Sequence, residues 1–251
     1  MTSDEERTSG PPARVGVVVL AYQAESTIEE VLSRIPTRVG GADVALLVAD
    51  DASADRTAEV AREWAERHRT SVEVVVRPRN LGYGGNQVAG YRWAMERGVV
   101  AVGCVHGDAQ YPPEALPDLV SPLLSGEADA VFGSRMLERG GARRGGMPLT
   151  RRVGNRVLSA TQNLLTGAQL SEWHSGLRAY RCDMLQHVGL DGLPAGFDFD
   201  TAITLRLLEH GARLSEISIP TRYADEISYI DPWSTGVRIL SHTIRHRVRR
   251  A

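Results

Sequence analysis

The sequence predicts an α/β protein organised on a mostly parallel sheet. Short β-branched runs at Val15 to Ala21, Val44 to Ala49, Val72 to Val76 and Val99 to Val105 alternate with stretches of helical period. The loops between them are only a few residues long, which fits strand–helix–strand units whose strands are covered on both faces. Right-handed crossovers bring the carboxyl ends of such strands to one edge, where open α/β sheets bind ligands. The segments that fall there are Tyr22 to Glu25, Asp50-Asp51, Arg79 to Gly85 and Asp108 to Gln110. They carry polar and glycine residues that plain connectors do not require.

Taken in order, Met1 to Pro12 has no periodicity and is expected to be disordered. After the first strand, Ser26 and Glu29 have capping-box spacing, and Ile28, Val31, Leu32 and Ile35 keep helical spacing up to Pro36. The second strand ends in Asp50-Asp51. Asp55 then caps a helix whose inner face is Ala58, Ala61, Trp64 and Ala65. Val88 to Arg97 is a third helix, closed by Gly98. The fourth strand runs into Cys104 to Glu114, where prolines open a helix without costing a hydrogen bond. Beyond Asp129 the order changes. Ala130 to Gly133 is a short strand, and Glu138 to Gly146 is glycine-rich, basic and expected to be mobile. Arg152 to Thr166 is a helix with Val153, Val157, Leu158, Thr161 and Leu165 inward, and Ser171 to Tyr180 is a turn and strand. Phe199, Ile203 and Leu207 mark a helix ended at Gly211, and Leu214 to Ile219 is the last strand. From Pro232 the chain has the pattern of a basic amphipathic helix, with Val237, Leu240, Ile244 and Val248 in one stripe.

Composition narrows the class. The 251 residues suffice for one large domain, and 42% hydrophobic with 24% charged residues is ordinary for a soluble protein. A net charge of −2 gives no global field for nucleic acid. Cys104 and Cys182 lie far apart and outside any CxxC, so neither a disulfide framework nor structural zinc is expected. The polar opening does not read as a signal peptide, and no apolar run approaches the roughly 18 residues of a membrane span. The expected location is the cytoplasm, with a peripheral place at the inner face of the membrane as the further option.

Four motifs bear on chemistry. Asp108 and Gln110, two residues apart at a strand end, suit a hard divalent cation and through it a diphosphate. An Asp-Gly turn would carry the same residues. Asp50 and Asp51 suit base and ribose hydrogen bonds, or an Asp-rich turn. Asn80 to Asn86, with Gly82, Gly84 and Gly85, lets backbone approach a phosphate, although it lacks both P-loop and GxGxxG spacing. Arg135, Arg143 and Arg144 flank a glycine-rich loop suited to a phosphate, or to solvent. Glu172 and His174 stand in no Ser-His-Asp order and no HExxH, so hydrolase chemistry has little support.

Together these pieces resemble the family 2 glycosyltransferases of GT-A fold, and within them the dolichol- or polyprenol-phosphate mannose (or glucose) synthase group. The matching stretches are VVVLAYQAESTIEEVL, VADDASADRT, RNLGYGGNQVAGYRWA, VHGDAQYPPEAL, VFGSRM, SGLRAYR and FDFDTAITLRLLEHGARLSEISIP. They occur in family order over roughly residues 15 to 220. The resemblance implies inverting transfer of a hexose from a GDP- or UDP-linked donor, with Mg²⁺ or Mn²⁺ as cofactor. The implied acceptor is a polyprenol phosphate, with a soluble small molecule as the alternative. A non-catalytic nucleotide-sugar-binding protein is a further alternative. The resemblance places Ala21, Tyr22, Glu25, Asp50, Asp51, Asn80, Gly84 and Asp108 about the donor. It places Asp108 and Gln110 at the metal and Arg135 at the acceptor phosphate; Arg143 and Arg144 are added as acceptor-phosphate candidates from the loop's own composition.

The chain departs from the family pattern at several points. His106 stands at the first Asp of the DxD, and is a candidate metal ligand there. Ala24 replaces a frequent Glu, and Glu172 an Asp. Arg222 to Ser228 replaces a basic motif, and no membrane helices follow. If the acceptor is a hydroxyl, a carboxylate must take its proton, and Glu172 and Asp200 are the candidates. The implied layout is a disordered tail at 1–13, one GT-A domain at 14–230 and a basic amphipathic tail at 231–251. The domain divides into a nucleotide half, about 14–133, and an acceptor half, about 134–230.

Overall fold

The computed structural model describes residues 14–220 and 232–250, so the expected N-terminal disorder and the Arg222 to Ser228 stretch lie outside the described residues. An eight-stranded sheet forms the centre, in the order β2-β3-β1-β5-β7-β6-β8, with β4 also paired to β3. Its strands are β1 (Arg14–Ala21), β2 (Arg38–Val39), β3 (Ala42–Asp50), β4 (Val72–Val76), β5 (Ala101–His106), β6 (Ala130–Ser134), β7 (Arg178–Arg181) and β8 (Leu214–Ser218). β1, β3, β4 and β5 run parallel, as do β6 and β8. β7 enters antiparallel to both β5 and β6, and β2 forms a short antiparallel pairing with β3.

Burial on both faces explains the unbroken apolar runs. Along β1, Val15, Val17, Val19 and Ala21 face one core with Ile28, Leu32, Leu116 and Leu119. Val18 faces the other, with Tyr91, Trp173, Tyr180 and Phe199. The register sets Asp50 beside Ala21 and His106 beside Leu20, so the polar ends of β1, β3 and β5 meet at one edge.

The helices are α1 (Ile28–Arg34), α2 (Thr57–His68), α3 (Gly82–Glu96), α4 (Leu116–Leu124), α5 (Gly141–Arg144), α6 (Leu149–Thr166), α7 (Cys182–Val188), α8 (Phe199–Glu209) and α9 (Pro232–Arg250). Several local expectations need correction. The Ser26–Glu29 capping box does not form. α1 starts after Thr27, whose hydroxyl donates to the Gly107 carbonyl at 2.6 Å, and Glu29 pairs instead with Arg67 of α2. α3 begins at Gly82, six residues before the expected Val88. The Asp51 carboxylate accepts the Leu81 and Gly82 N–H groups at 2.7 and 3.0 Å, and so supplies a cap from another strand. α7 and β2 were not legible as elements. Within Glu138 to Gly146, α5 is a single turn whose Ala142 packs with Met136 and Met147.

The largest correction concerns α6. Of its expected inward residues, Val153 and Val157 are exposed and Leu158, Thr161 and Leu165 are half-buried, while Ser159 and Gln162 are fully buried. The helix is seated by polar bonds: Asn155 donates to Glu172 at 2.8 Å, Trp173 Nε1 to Asn163 at 2.8 Å, and Gln162 to Thr201 at 3.3 Å. The C-terminal stretch is no loose tail. α9 packs against α6 and α8, with Ile239, Thr243 and His246 buried.

Candidate active site

The sheet edge is stitched together by its own loops. Gln23 N–H donates to Ser53, and Ala24 N–H to Thr57 at 2.8 Å. Glu25 accepts from Arg56 N–H while its own N–H donates to Asp55, both at 3.2 Å. Gln23, Ala52 and Ala109 have φ of 49°, 62° and 59°, left-handed values that non-glycine residues rarely take. Each lies just past β1, β3 or β5, and such backbone strain clusters at functional loops.

Of the expected donor residues, Ala21 and Asp50 are buried, and Tyr22 and Glu25 are exposed beside them. Asp50 accepts the Ser53 N–H at 2.9 Å. Burial pushes the Asp51 carboxyl up, and the two N–H donors of the glycine loop partly offset this. Asn80 accepts the Gly82 N–H at 2.8 Å. The glycines serve packing. A Cβ on Gly84 would overlap the Pro194 carbonyl oxygen and meet Phe199 at 2.7 Å, and the Gly84 N–H donates to the Ala195 carbonyl at 2.7 Å. That loop receives the 194–199 segment closely, which is reason enough for glycine without a phosphate.

Asp108 sits half-buried after β5, and its Oδ1 accepts the Gln110 N–H at 3.0 Å. Among the described residues no three His, Cys, Asp or Glu side chains gather as a metal cage. A single aspartate held by its own turn fits Mg²⁺ or Mn²⁺ only when a diphosphate completes the shell, as Mg²⁺ commonly binds. His106 is turned into the protein. It meets Tyr83 and Tyr111 edge-on, its Nε2 lies 3.4 Å from the Tyr83 hydroxyl, and a Cβ on Gly176 would overlap it.

Glu172 and Asp200 are both held by other residues of the fold. Glu172 is fully buried and accepts from the Arg135 side chain and backbone and from Asn155. Burial pushes its carboxyl up, but the Arg135 guanidinium outweighs this and holds it below the usual range. A carboxylate so paired is a poor proton acceptor and a good anchor for Arg135. Asp200 accepts from the Tyr83 hydroxyl at 2.9 Å and lies 3.6 Å from the buried guanidinium of Arg178.

Arg135, Arg143, Arg152 and Arg156 line one cavity of about 210 Å³ together with Met136, Gly140, Ala142 and one carboxylate, Glu138. Arg144 does not join them; it pairs with Glu138. Sequence reading missed Arg152, Arg156, Asn155, Tyr83 and Arg178. The first two stand one helical turn apart on α6, a spacing that signals a shared face.

The polar loops after β1, β3 and β5 meet at one sheet edge with Asp108 among them, and arginines from the end of β6, α5 and α6 line a cavity. Residues 16–189 match the glycosyl transferase family 2 domain. The chain belongs to that family and is a glycosyltransferase. It is 32% identical over 210 residues to an undecaprenyl-phosphate mannosyltransferase of Micrococcus luteus, covering 82% of each chain. It is 27% identical to a polyprenol monophosphomannose synthase of Mycolicibacterium smegmatis, covering 86% of this chain and 80% of that one. The fold is GT-A. It superposes with a TM-score of 0.67 and 22% identity on glucosyl-3-phosphoglycerate synthase from Mycobacterium tuberculosis, over 94% of this chain and 80% of that one. That enzyme was crystallised with Mn²⁺, UDP-glucose and phosphoglyceric acid.

Proposed function

We propose that the protein transfers a hexose from a GDP- or UDP-linked donor to a polyprenol phosphate, with inversion at the anomeric carbon. The observation that carries this reading is the arginine-lined cavity, whose Arg135 is locked by the buried Glu172. Relatives named for undecaprenyl-phosphate and polyprenol acceptors support it. The acceptor phosphate is already an anion, so attack on the anomeric carbon needs no strong base. One phosphate oxygen forms the new bond as the bond to the nucleoside diphosphate breaks. Arg135, Arg143, Arg152 and Arg156 hold and orient the phosphate. Ala21, Tyr22, Glu25, Asp50, Asp51 and Asn80 border the nucleoside, with Gly84 setting the loop. Asp108, with Gln110 beside it, would hold Mg²⁺ or Mn²⁺. The ion, when bound, offsets charge on the leaving diphosphate. His106 packs against Tyr83 and Tyr111 instead of joining Asp108 as a ligand. The protein acts as a peripheral enzyme at the inner membrane face, with α9 contributing to that contact.

A phosphorylated soluble acceptor is the second reading, because the cavity recognises phosphate and not what the phosphate carries. Transfer assays with a short prenyl phosphate and with phosphorylated soluble acceptors, using GDP- and UDP-sugars and Mn²⁺, decide between them. Turnover with the soluble acceptor alone would overturn the lipid reading.

A further inference from the structure

The 194–200 segment, which leads into α8, is gripped from two sides. On one side it holds the glycine-rich start of α3. The Ala195 carbonyl accepts the Gly84 N–H at 2.7 Å, and a Cβ on Gly82 would come within 2.7 Å of the same oxygen. Phe197 stacks on Tyr83 with ring centroids 5.0 Å apart, and Asp200 accepts from the Tyr83 hydroxyl at 2.9 Å. On the other side the segment meets α9 through Asp198. That residue is the N-cap of α8, where an aspartate ordinarily accepts an N–H of the first helical turn. Here it makes no such bond. Its buried carboxylate turns to α9 instead, with His242 Nε2 at 2.9 Å and Arg238 Nε at 3.8 Å. Gly196 leaves room for that orientation, since a Cβ there would come within 2.8 Å of Asp198 Oδ1. A cap given up locally for a bond to a distant helix is the kind of broken local rule that accompanies function. A second pair, His246 Nδ1 with Glu209 at 2.9 Å, joins α9 to the opposite end of α8.

We propose that His242, acting through Asp198, is a positioning residue for the nucleotide-sugar donor. α9 braces the 194–200 segment, and that segment holds the glycine loop in the shape that receives the donor. Asp51 fixes Leu81 and Gly82 from the β3 side, and the 194–200 segment fixes Tyr83 and Gly84 from the α8 side. Neither clamp comes from α3 itself. Loosening the second lets the first turn of α3 open locally while the sheet stays intact. The linkage is reciprocal, so a bound donor in turn holds α9 in place. The proposal rests on the donor-binding reading of this loop, but the brace itself is measurable without a donor.

The test compares the full chain with His242→Ala, His242→Gln and His246→Ala, by amide hydrogen exchange and by donor kinetics, below the lowest Tm of the set. In the free enzyme, His242→Ala should speed exchange at residues 82–87 about fivefold or more. His242→Gln, whose amide can still donate to Asp198, should restore much of the protection. His246→Ala removes the other pair and should lower Tm without changing exchange in that loop. In steady state His242→Ala should raise the donor KM by about fivefold or more, with kcat and the acceptor KM within about twofold of wild type. Equal protection of residues 82–87 in wild type and His242→Ala overturns the proposal. So does the same acceleration in His246→Ala, which would mean that α9 supports the fold at large. Faster exchange with an unchanged donor KM overturns it as well. Wild type supplies an independent check should His242→Ala fail to fold. The GDP- or UDP-sugar that raises its Tm with Mn²⁺ should slow exchange over residues 238–246, and no slowing there overturns the proposal. If neither nucleotide sugar binds wild type while His242→Ala alone loosens the loop, the brace stands and the donor reading falls.

Discussion

Glu172 shows how a residue's partner decides its role. In sequence it is one carboxylate near a histidine; in the structure it is the fixed counter-charge of Arg135. Glu172→Gln should keep the hydrogen-bonding shape and remove the charge. A buried pair deprived of one partner typically costs about 3–5 kcal/mol. We therefore expect a lower Tm and a raised KM for the acceptor, measured by melting and by acceptor titration. A fall in kcat with acceptor KM unchanged would return Glu172 to the role of a base. Asp108→Asn makes the opposite case. Asparagine still accepts the Gln110 N–H, so the fold should melt unchanged, while transfer falls on the order of a hundredfold or more. Mn²⁺ with a nucleotide sugar should then no longer raise the Tm as it does for wild type. Asp108 was legible because a short motif carried it. The Glu172 pairing was not, since its partner lies 37 residues away.

At the scale of elements, the glycine-rich start of α3 depends on groups outside the helix. Asp51 caps it from the end of β3, and Gly84 admits the 194–199 segment. Asp51→Ala should cost about 1–2 kcal/mol in denaturant unfolding, comparable to losing a helix cap, besides weakening the donor. Loss of donor affinity with unaltered stability would show that the capping bonds are incidental. Gly84→Ala should destabilise by about 1–3 kcal/mol, because the added methyl meets a backbone carbonyl that cannot step aside. Strands were legible because burial on two faces writes an unbroken apolar run. α6 was misread for a physical reason: periodicity finds an apolar stripe and cannot tell which side it faces. Only the hydrogen bonds of Asn155, Gln162 and Asn163 reveal that the polar side is the inner one.

For the molecule as a whole, acid should act through His174. Burial pushes its imidazole from 6.5 down to about 4. Between those values the unfolded chain binds a proton that the folded chain refuses, so the His174 contribution to stability falls as pH drops from about 6.5 to about 4 and is constant below, where carboxylates such as Glu172 take over. Tm against pH should show that slope, and His174→Gln should flatten it; an unchanged slope would assign the effect elsewhere. The parallel half of the sheet followed from the spacing of runs. The insertion of β7 did not, because antiparallel pairing across the sheet centre leaves no local signature. That insertion bears on how the chain comes off the ribosome. β6 reaches β5 only through β7, so the sheet stays open along β5 until residues 178–181 have emerged. Until then the segment 14–133 presents an open β5 edge, the kind of edge that invites pairing with other chains during synthesis.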